Sequence, residues 1–599
     1  MKRLYIAIFA LSAILLGVAG KSTKGVLAPD RLFLIESKMF VANRAANQLA
    51  RLSADGKSIE EKVKLHSAVT DLVQTPDGDL WVACEGNMGW LYKLDKERLS
   101  VEKKIESGAT PSAILYNSKS NSLWVAQRYG NELWEVDATT GEKKAVVEVG
   151  REPVDMISFE DDNLLLVANN LPEMASTEEH VAAQLDVVDV VAHKVQSRIL
   201  LPNGATDVKS IAKDMTGEYA YVTHLLARYQ LPTTQLDRGW MSTNALSIID
   251  LEAKECLTTV LLDTPQKGAA NPWEVCVTPD NREIIVAAAG SQEVVVISRQ
   301  GLHAKLAQAV DGRATPSMGD WNNIPNDAGF LYGIRDFIPT GGKGVRSVVA
   351  TEDKIYAANY YTAEITAISR KDRSKQNTSL GTSLSATAVG RGDMHFHDAT
   401  LCYQTWQSCA TCHPNDGRMD GLNWDLLNDG MGNPKNSKTL LLSHKTAPCM
   451  ISGIRADAET AVRSGVKYIL FSGYNEASVF SDMDEYLKAQ KPIASPYLVN
   501  NKLSPKAVEG KKIYEHYNCA SCHSGAYHTD QKSHRIGKDV EFEQGWDTPA
   551  LTEVWRTAPY LFDGRAATMF DVFYEHRHGI HDDISREDAE ALAEYVNSL

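Results

Sequence analysis

Between about residues 30 and 380, short apolar runs alternate with polar positions, and clusters of Gly, Asp, Asn and Pro separate the runs. A period of two broken by turn residues predicts strands and turns, not helices. One run recurs in similar wording. Met39-Phe-Val-Ala-Asn43 is echoed by Leu80-Trp-Val-Ala-Cys84, Leu123-Trp-Val-Ala-Gln127 and Leu165-Leu-Val-Ala-Asn169. Ala220-Tyr-Val-Thr-His224, Ile284-Ile-Val-Ala-Ala288 and Ile355-Tyr-Ala-Ala-Asn359 complete a set of seven. The first four start at 39, 80, 123 and 165, so they lie 41 to 43 residues apart. That is the length of one four-stranded propeller blade.

A single blade cannot bury both faces, so a ring of seven is expected over residues 30–380. The repeats resemble the YVTN family of β-propellers, and Tyr221-Val-Thr-His224 comes close to the tetrapeptide that names it. Later spacings lengthen, which places long loops on blades four to six. One insert covers residues 224–244, with Arg228, Arg238 and Trp240. Another covers 302–346, with Trp321, Asp336 and Gly341-Gly342. Both are expected to gather over the neighbouring domain, because loops of this length in compact domains are commonly functional.

Beyond residue 385 the pattern turns helical. Ser504-Pro505 supplies an N-cap and N1 proline, and Ser585-Arg-Glu-Asp588 opens a final helix with Ala589, Leu592, Ala593 and Val596 on one face. This region carries the most specific chemistry in the chain, Cys409-Ala-Thr-Cys412-His413 and Cys519-Ala-Ser-Cys522-His523. Cys-x-x-Cys-His attaches a c-type haem: the thiols add to the vinyl groups and the His supplies an axial ligand. A second echo, Thr446-Ala-Pro-Cys-Met-Ile-Ser-Gly453 against Thr557-Ala-Pro-Tyr-Leu-Phe-Asp-Gly564, indicates an internal duplication. The fold class expected is multidomain: a seven-bladed all-β propeller, then an α-helical tandem of two cytochrome c domains over 385–495 and 500–599.

Asp547-Thr-Pro-Ala-Leu-Thr-Glu-Val554 and Ala558-Pro-Tyr-Leu-Phe-Asp-Gly-Arg-Ala-Ala-Thr568 resemble bacterial di-haem cytochrome c peroxidases and the related di-haem maturase of methylamine dehydrogenase. The first module is similar through Gly392-Asp-Met-His-Phe-His-Asp398 and Asn433-Pro-Lys-Asn-Ser-Lys-Thr439. In that family the second axial ligand of the C-terminal haem stands eight positions after the Thr, which is His576 here; His578 and His581 are its rivals. The duplication puts Val466 at the matching place in the first module, and Val cannot bind iron. The first haem then has an open distal face or a ligand drawn from His395, His397, Met431 or His444. The resemblance further implies an acid near the open face, for which Glu459 is the nearest match, and a Trp between the haems, for which Trp424 is the candidate. It also implies a calcium ion between the modules, with Asn433 and residues 546–549 as oxygen donors.

Five further cysteines, Cys84, Cys256, Cys276, Cys402 and Cys449, allow pairings of Cys402 with Cys449 and Cys256 with Cys276. At the N-terminus, Lys2 and Arg3 precede an apolar run over residues 4–18 that ends in small residues. This is a signal peptide over residues 1–20, which implies a periplasmic or secreted protein with no membrane span in the mature chain. Asp and Glu outnumber Lys and Arg by 77 to 62, a net charge of −15, which disfavours nucleic acid as a partner. The leading expectation is an exported di-haem peroxidase-like oxidoreductase. In it a small redox donor protein or cytochrome reduces the second haem, and peroxide or another small oxidant reacts at the first. The alternative is a non-catalytic electron carrier or cell-surface binding protein with both haems six-coordinate.

Overall fold

The computed structural model describes residues 25–53, 55–230, 241–310, 321–426, 434–536 and 543–599. The expected signal peptide lies outside the described residues, as do Arg238, Trp240, Met431 and Asn433.

Seven four-stranded antiparallel sheets, each of four consecutive strands, run from Pro29–Ile35 to Lys375–Ser379. Their inner strands pack in succession, and Val345–Ala350 of the seventh closes on Pro29–Ile35 of the first. Each of the seven echoed segments is the second strand of its blade. A neighbouring blade covers each face of that strand, so both faces stay apolar; Trp81 and Trp124 there are fully buried. The fourth strands form the rim and are charged and exposed, as in Ile59–Lys64.

On the axis, Arg31 of the first blade stands among carboxylates of three others. Its guanidinium lies 3.4 Å from Asp71, 3.7 Å from Asp155 and 3.4 Å from Glu274. Each acid also accepts a backbone N–H from the next blade: Ile114 at 2.8 Å, Ile211 at 3.1 Å and Val348 at 2.8 Å. Three acids around one cation leave an excess of buried negative charge. Burial pushes the Asp71 carboxyl up to about 6 and that of Glu274 to about 7.

Two helical units follow. In the first, Ala388–His397 packs across Ala477–Ala489; in the second, Pro505–His516 packs across Arg586–Asn597. A glycine stands at each crossing. A Cβ on Gly392 would lie 1.9 Å from the Asp482 carbonyl oxygen, and one on Gly510 would lie 1.8 Å from that of Ala591. The echoed segments also fold alike: Cys449 bridges Arg455, and Tyr560 bridges Ala566. Asp457 and Thr568 then cap the helices Ala458–Tyr468 and Met569–Tyr574.

Both units sit on the propeller face from which the second-to-third and fourth-to-first connections emerge. Ser176, in such a connection of blade four, touches both: its N–H donates to the Gly564 carbonyl and its Oγ to that of Gly421. The first predicted insert does reach this face, where Tyr229 and Met241 pack against Leu422 and Trp424. Most of the second does not gather there. It joins the third and fourth strands of blade six, so it starts from the opposite face. Its helix Arg299–Val310 covers the blade's flank through Leu302 and Leu306, and only its last part, the connection after Pro339, reaches the units' face, where Lys343 lies 3.4 Å from Asp398. The units are joined to each other at several points, among them the Asn436 N–H on the Phe562 carbonyl at 2.7 Å, and one buried carboxylate links both of them toward the propeller. Glu553 accepts Arg418 Nε at 2.8 Å, Arg556 Nη1 at 3.2 Å and the Ile493 N–H at 2.7 Å. Arg556 in turn lies 3.9 Å from Glu152 of the propeller and beneath Tyr129.

Removing Glu553 strands Arg418 and Arg556, each 3% exposed. Breaking a buried pair from one side costs about 3–5 kcal/mol, so Glu553→Ala should lower the unfolding free energy of the helical part, read from denaturant titration, by about that amount. At the axis the raised Glu274 pKa favours the protonated folded form. Its stabilising contribution is full below the unfolded carboxylate range, near about 4.3, and falls as pH rises through the folded value. Melting of the propeller should therefore show a midpoint that declines from about pH 4.5 to about pH 7 and levels off above it, and Glu274→Gln should flatten that decline.

Candidate functional site

Both Cys-x-x-Cys-His motifs open onto one cavity of about 590 Å³ between the helical units. Cys409, Cys412 and His413 line one end; Cys519, Cys522, His523 and His578 line the other. Apolar side chains such as Phe396, Leu440, Leu487, Met569 and Phe573 form much of the remaining wall. Two thiols and an imidazole on an apolar wall are the donor set that a covalently attached haem requires, so the residues fit that group.

Burial lowers the pKa of His413 and of His523 to about 4, so both imidazoles are neutral at pH 7 and offer a lone pair. The Nδ1 of His523 lies 3.2 Å from the His528 carbonyl, which accepts its proton and leaves Nε2 free as a ligand atom. The His578 ring faces it with centroids 6.3 Å apart, and burial lowers its pKa too. Metal–imidazole bonds of about 2 Å place a ring centre about 3 Å from a shared metal, so two opposed rings stand about 6 Å apart. The pair matches that spacing.

His576 is not part of this arrangement. It is exposed, with Nε2 3.3 Å from the Arg565 carbonyl. Counting eight positions from Thr568 assumes a continuous helix, whereas Met569–Tyr574 ends early and Arg577 turns left-handed at φ 52°. That turn swings His578 inward. The bridges and caps of the two units keep a constant spacing of 111 residues (449 to 560, 457 to 568), so the counterpart of His576 is Gly465, not Val466, and that of His578 is Lys467. Lys467 is exposed, and Val466 is buried with Leu401 and Trp406. The wall there is Gly465, Tyr468, Ile469 and Leu470.

The other predicted residues divide. His397 is held by the Asp393 carbonyl at 2.9 Å and His444 by Asp484 at 3.1 Å; neither these nor His395 lines the cavity. Glu459 turns away from the cavity as well. It lies 3.4 Å from Lys488 and groups with His444 and Asp484. A backbone hydrogen bond at its helix N-terminus holds its carboxyl below the ordinary range. Trp424 does line the cavity, on the propeller side, and its Nε1 donates to Asp420 at 2.8 Å. Between the units stands Trp546, stacked on Phe562 at 4.3 Å and packed against Ile451 and Ile454. Of residues 546–549, Asp547 pairs with Lys438 through one carboxylate oxygen, while its buried Oδ1 has no hydrogen-bond partner. All nine cysteines are unpaired. Cys402 packs in the core near Trp406, and Cys449 lies on the cavity wall, so neither expected disulfide forms.

The sequence reading passed over Asp420. It is fully buried behind Trp424, accepts from the Leu422 N–H and from Ser437, and burial pushes its carboxyl up to about 7. Its only signal in the sequence was its position seven residues after His413.

Residues 507–599 match the family model of cytochrome c. The gamma subunit of hydrazine synthase from Kuenenia stuttgartiensis is 22% identical over 272 residues, which cover 35% of this chain and 77% of the subunit. The beta subunit is 22% identical over 220 residues, covering 36% of this chain and about half, 52%, of that subunit. A solved structure of Kuenenia stuttgartiensis hydrazine synthase superposes with a TM-score of 0.51 at 20% identity, over 59% of this chain and 99% of the solved one, which is a likeness of fold. Among the described residues no helix is long and apolar enough to cross a membrane. The chain is thus a seven-bladed β-propeller joined to a haem redox part that contains a cytochrome c domain and is similar to subunits of hydrazine synthase.

Proposed function

We propose that this chain is an exported oxidoreductase in which two cytochrome c modules carry two covalent haems of unequal ligation. The observation that carries the reading is the asymmetry of the cavity. At one end His523 and His578 oppose each other; at the other no second imidazole among the described residues faces His413. A bound haem supplies one-electron chemistry and, where one axial position stays open, a place for a small ligand. His523 and His578 would both hold a haem bound at their end of the cavity, which would suit it to receive and pass on electrons. His413 alone holds the first. The apolar wall there excludes bulk water, and burial raises the carboxyl of Asp420, which accepts from Trp424 Nε1, to about 7.

Reduction of peroxide or another small oxidant at the first haem fits this division, with a small redox protein or cytochrome as donor. The combined likeness to gamma and beta subunits of hydrazine synthase supports a small-molecule redox enzyme, possessing in one chain parts similar to two separate subunits. The start of the sequence supports export to the periplasm, where c-type haems are attached.

Mass spectrometry of the mature protein should show two haem additions. Its ferric spectrum should combine one low-spin and one high-spin centre, and cyanide should bind the latter. Two low-spin haems that refuse cyanide, oxidised or half-reduced, would replace the enzyme with the electron carrier. His578→Ala should convert the low-spin centre to high-spin, while His576→Ala leaves the spectrum unchanged.

A further inference from the structure

The two haem motifs differ in what covers them. Residues 404–421, which contain the first, are fastened to the propeller. Gly268 N–H donates to the Gln404 carbonyl at 3.0 Å, and Asn244 Nδ2 to that of Trp406 at 3.2 Å. Ser408 Oγ donates to Asn271 Oδ1 at 3.0 Å, and Asn271 Nδ2 to Thr411 at 3.3 Å. Asn415 is held by Asn170 at 2.7 Å, and Thr206 reaches the Asp420 carbonyl at 2.6 Å. The fit is close: a Cβ on Gly268 would lie 2.5 Å from the Thr405 carbonyl oxygen. Ala410 and Thr411, the two residues between the thiols, are 4% and 2% exposed.

In the second motif the corresponding Ala520 and Ser521 are exposed. Its bonds stay within its own unit, from Tyr514 to the His523 carbonyl and from the Asp530 N–H to that of Cys522. Burial is therefore reversed between two otherwise similar motifs, and the propeller is the cause.

We infer that the propeller is an insulating cap over the first haem motif, so that a protein donor exchanges electrons with this chain only at the face around Cys519 and Cys522. Electron tunnelling between proteins falls steeply with distance, so a haem edge serves a partner only where the partner can touch the surface above it. The cap leaves the first haem to small molecules that enter the cavity and to electrons passed on from the second. The partner that fits is a small one-electron redox protein, docking on a surface centred on Ala520 and Ser521. This rests on both motifs carrying haem, and mass spectrometry tests that separately.

The double variant Ala520→Glu/Ser521→Glu changes both charge and shape at the centre of the port. Rapid-mixing reduction of the full-length di-haem protein by a reduced small cytochrome c should slow at least tenfold at both haems. Reduction by dithionite should stay within twofold of the parent, which shows that the haems themselves are intact. If the cytochrome still reduces the His413 haem at the parent rate, that haem has its own port and the inference falls. A second variant works from the other side. Gly268→Arg wedges the seam at Thr405, and it should open a direct fast phase at the His413 haem. No such phase in a variant that retains both haems and exposes the seam to proteolysis would also overturn the cap.

Discussion

The Glu553 carboxylate is a point through which the three parts of the molecule are tied. It is buried, and Arg418, Arg556 and the Ile493 N–H surround it. Arg418 follows the first haem motif, Arg556 belongs to the second unit, and Ile493 lies in the segment between them. Arg556 then meets Glu152 and Tyr129 on the propeller. Buried ion pairs contribute little net stability over apolar substitutes, but they tolerate few alternative geometries. This one therefore sets the angle between the units, and with it the shape of the cavity between the two motifs.

Given that frame, similar units acquire different environments. Each has a helix crossing with a glycine at the contact, a capped helix after the echoed segment, and a Cys-x-x-Cys-His motif on a shared wall. The propeller lies against one motif and leaves the other free. The helix Met569–Tyr574 ends five residues before the counterpart of Tyr468, and this early ending brings an imidazole into the cavity of the second unit, where the first has none among the described residues. The functional division follows from these two differences, not from the motifs themselves.

Much of the fold was legible in the sequence because burial on both faces leaves a strong mark. The second strand of each blade is enclosed by its neighbours, so it reads as an apolar run in all seven copies, including blades with long inserts. The Cys-x-x-Cys-His motifs were legible for a chemical reason: two thiols and a histidine at this fixed spacing have few other uses. Gly392 and Gly510 could not be distinguished from other glycines in the sequence, since what they meet lies about 80 to 90 residues further along.

The axial pairing and the placement of the inserts were decided only in three dimensions. His576 leads in the sequence with His578 and His581 as rivals; after the left-handed Arg577 both His578 and His581 line the cavity, and the ring of His578 is the one set against His523. Glu459 and Trp424 looked alike as functional candidates, yet packing turned one toward Lys488 and the other to the cavity wall. The amino-acid order thus determined the blade count, the helix caps and the Cys-x-x-Cys-His motifs, all of which depend on residues close together in the chain. Which histidine opposes His523, which motif is covered and which carboxyl burial raises depend on contacts between distant segments, and these exist only once the chain has folded.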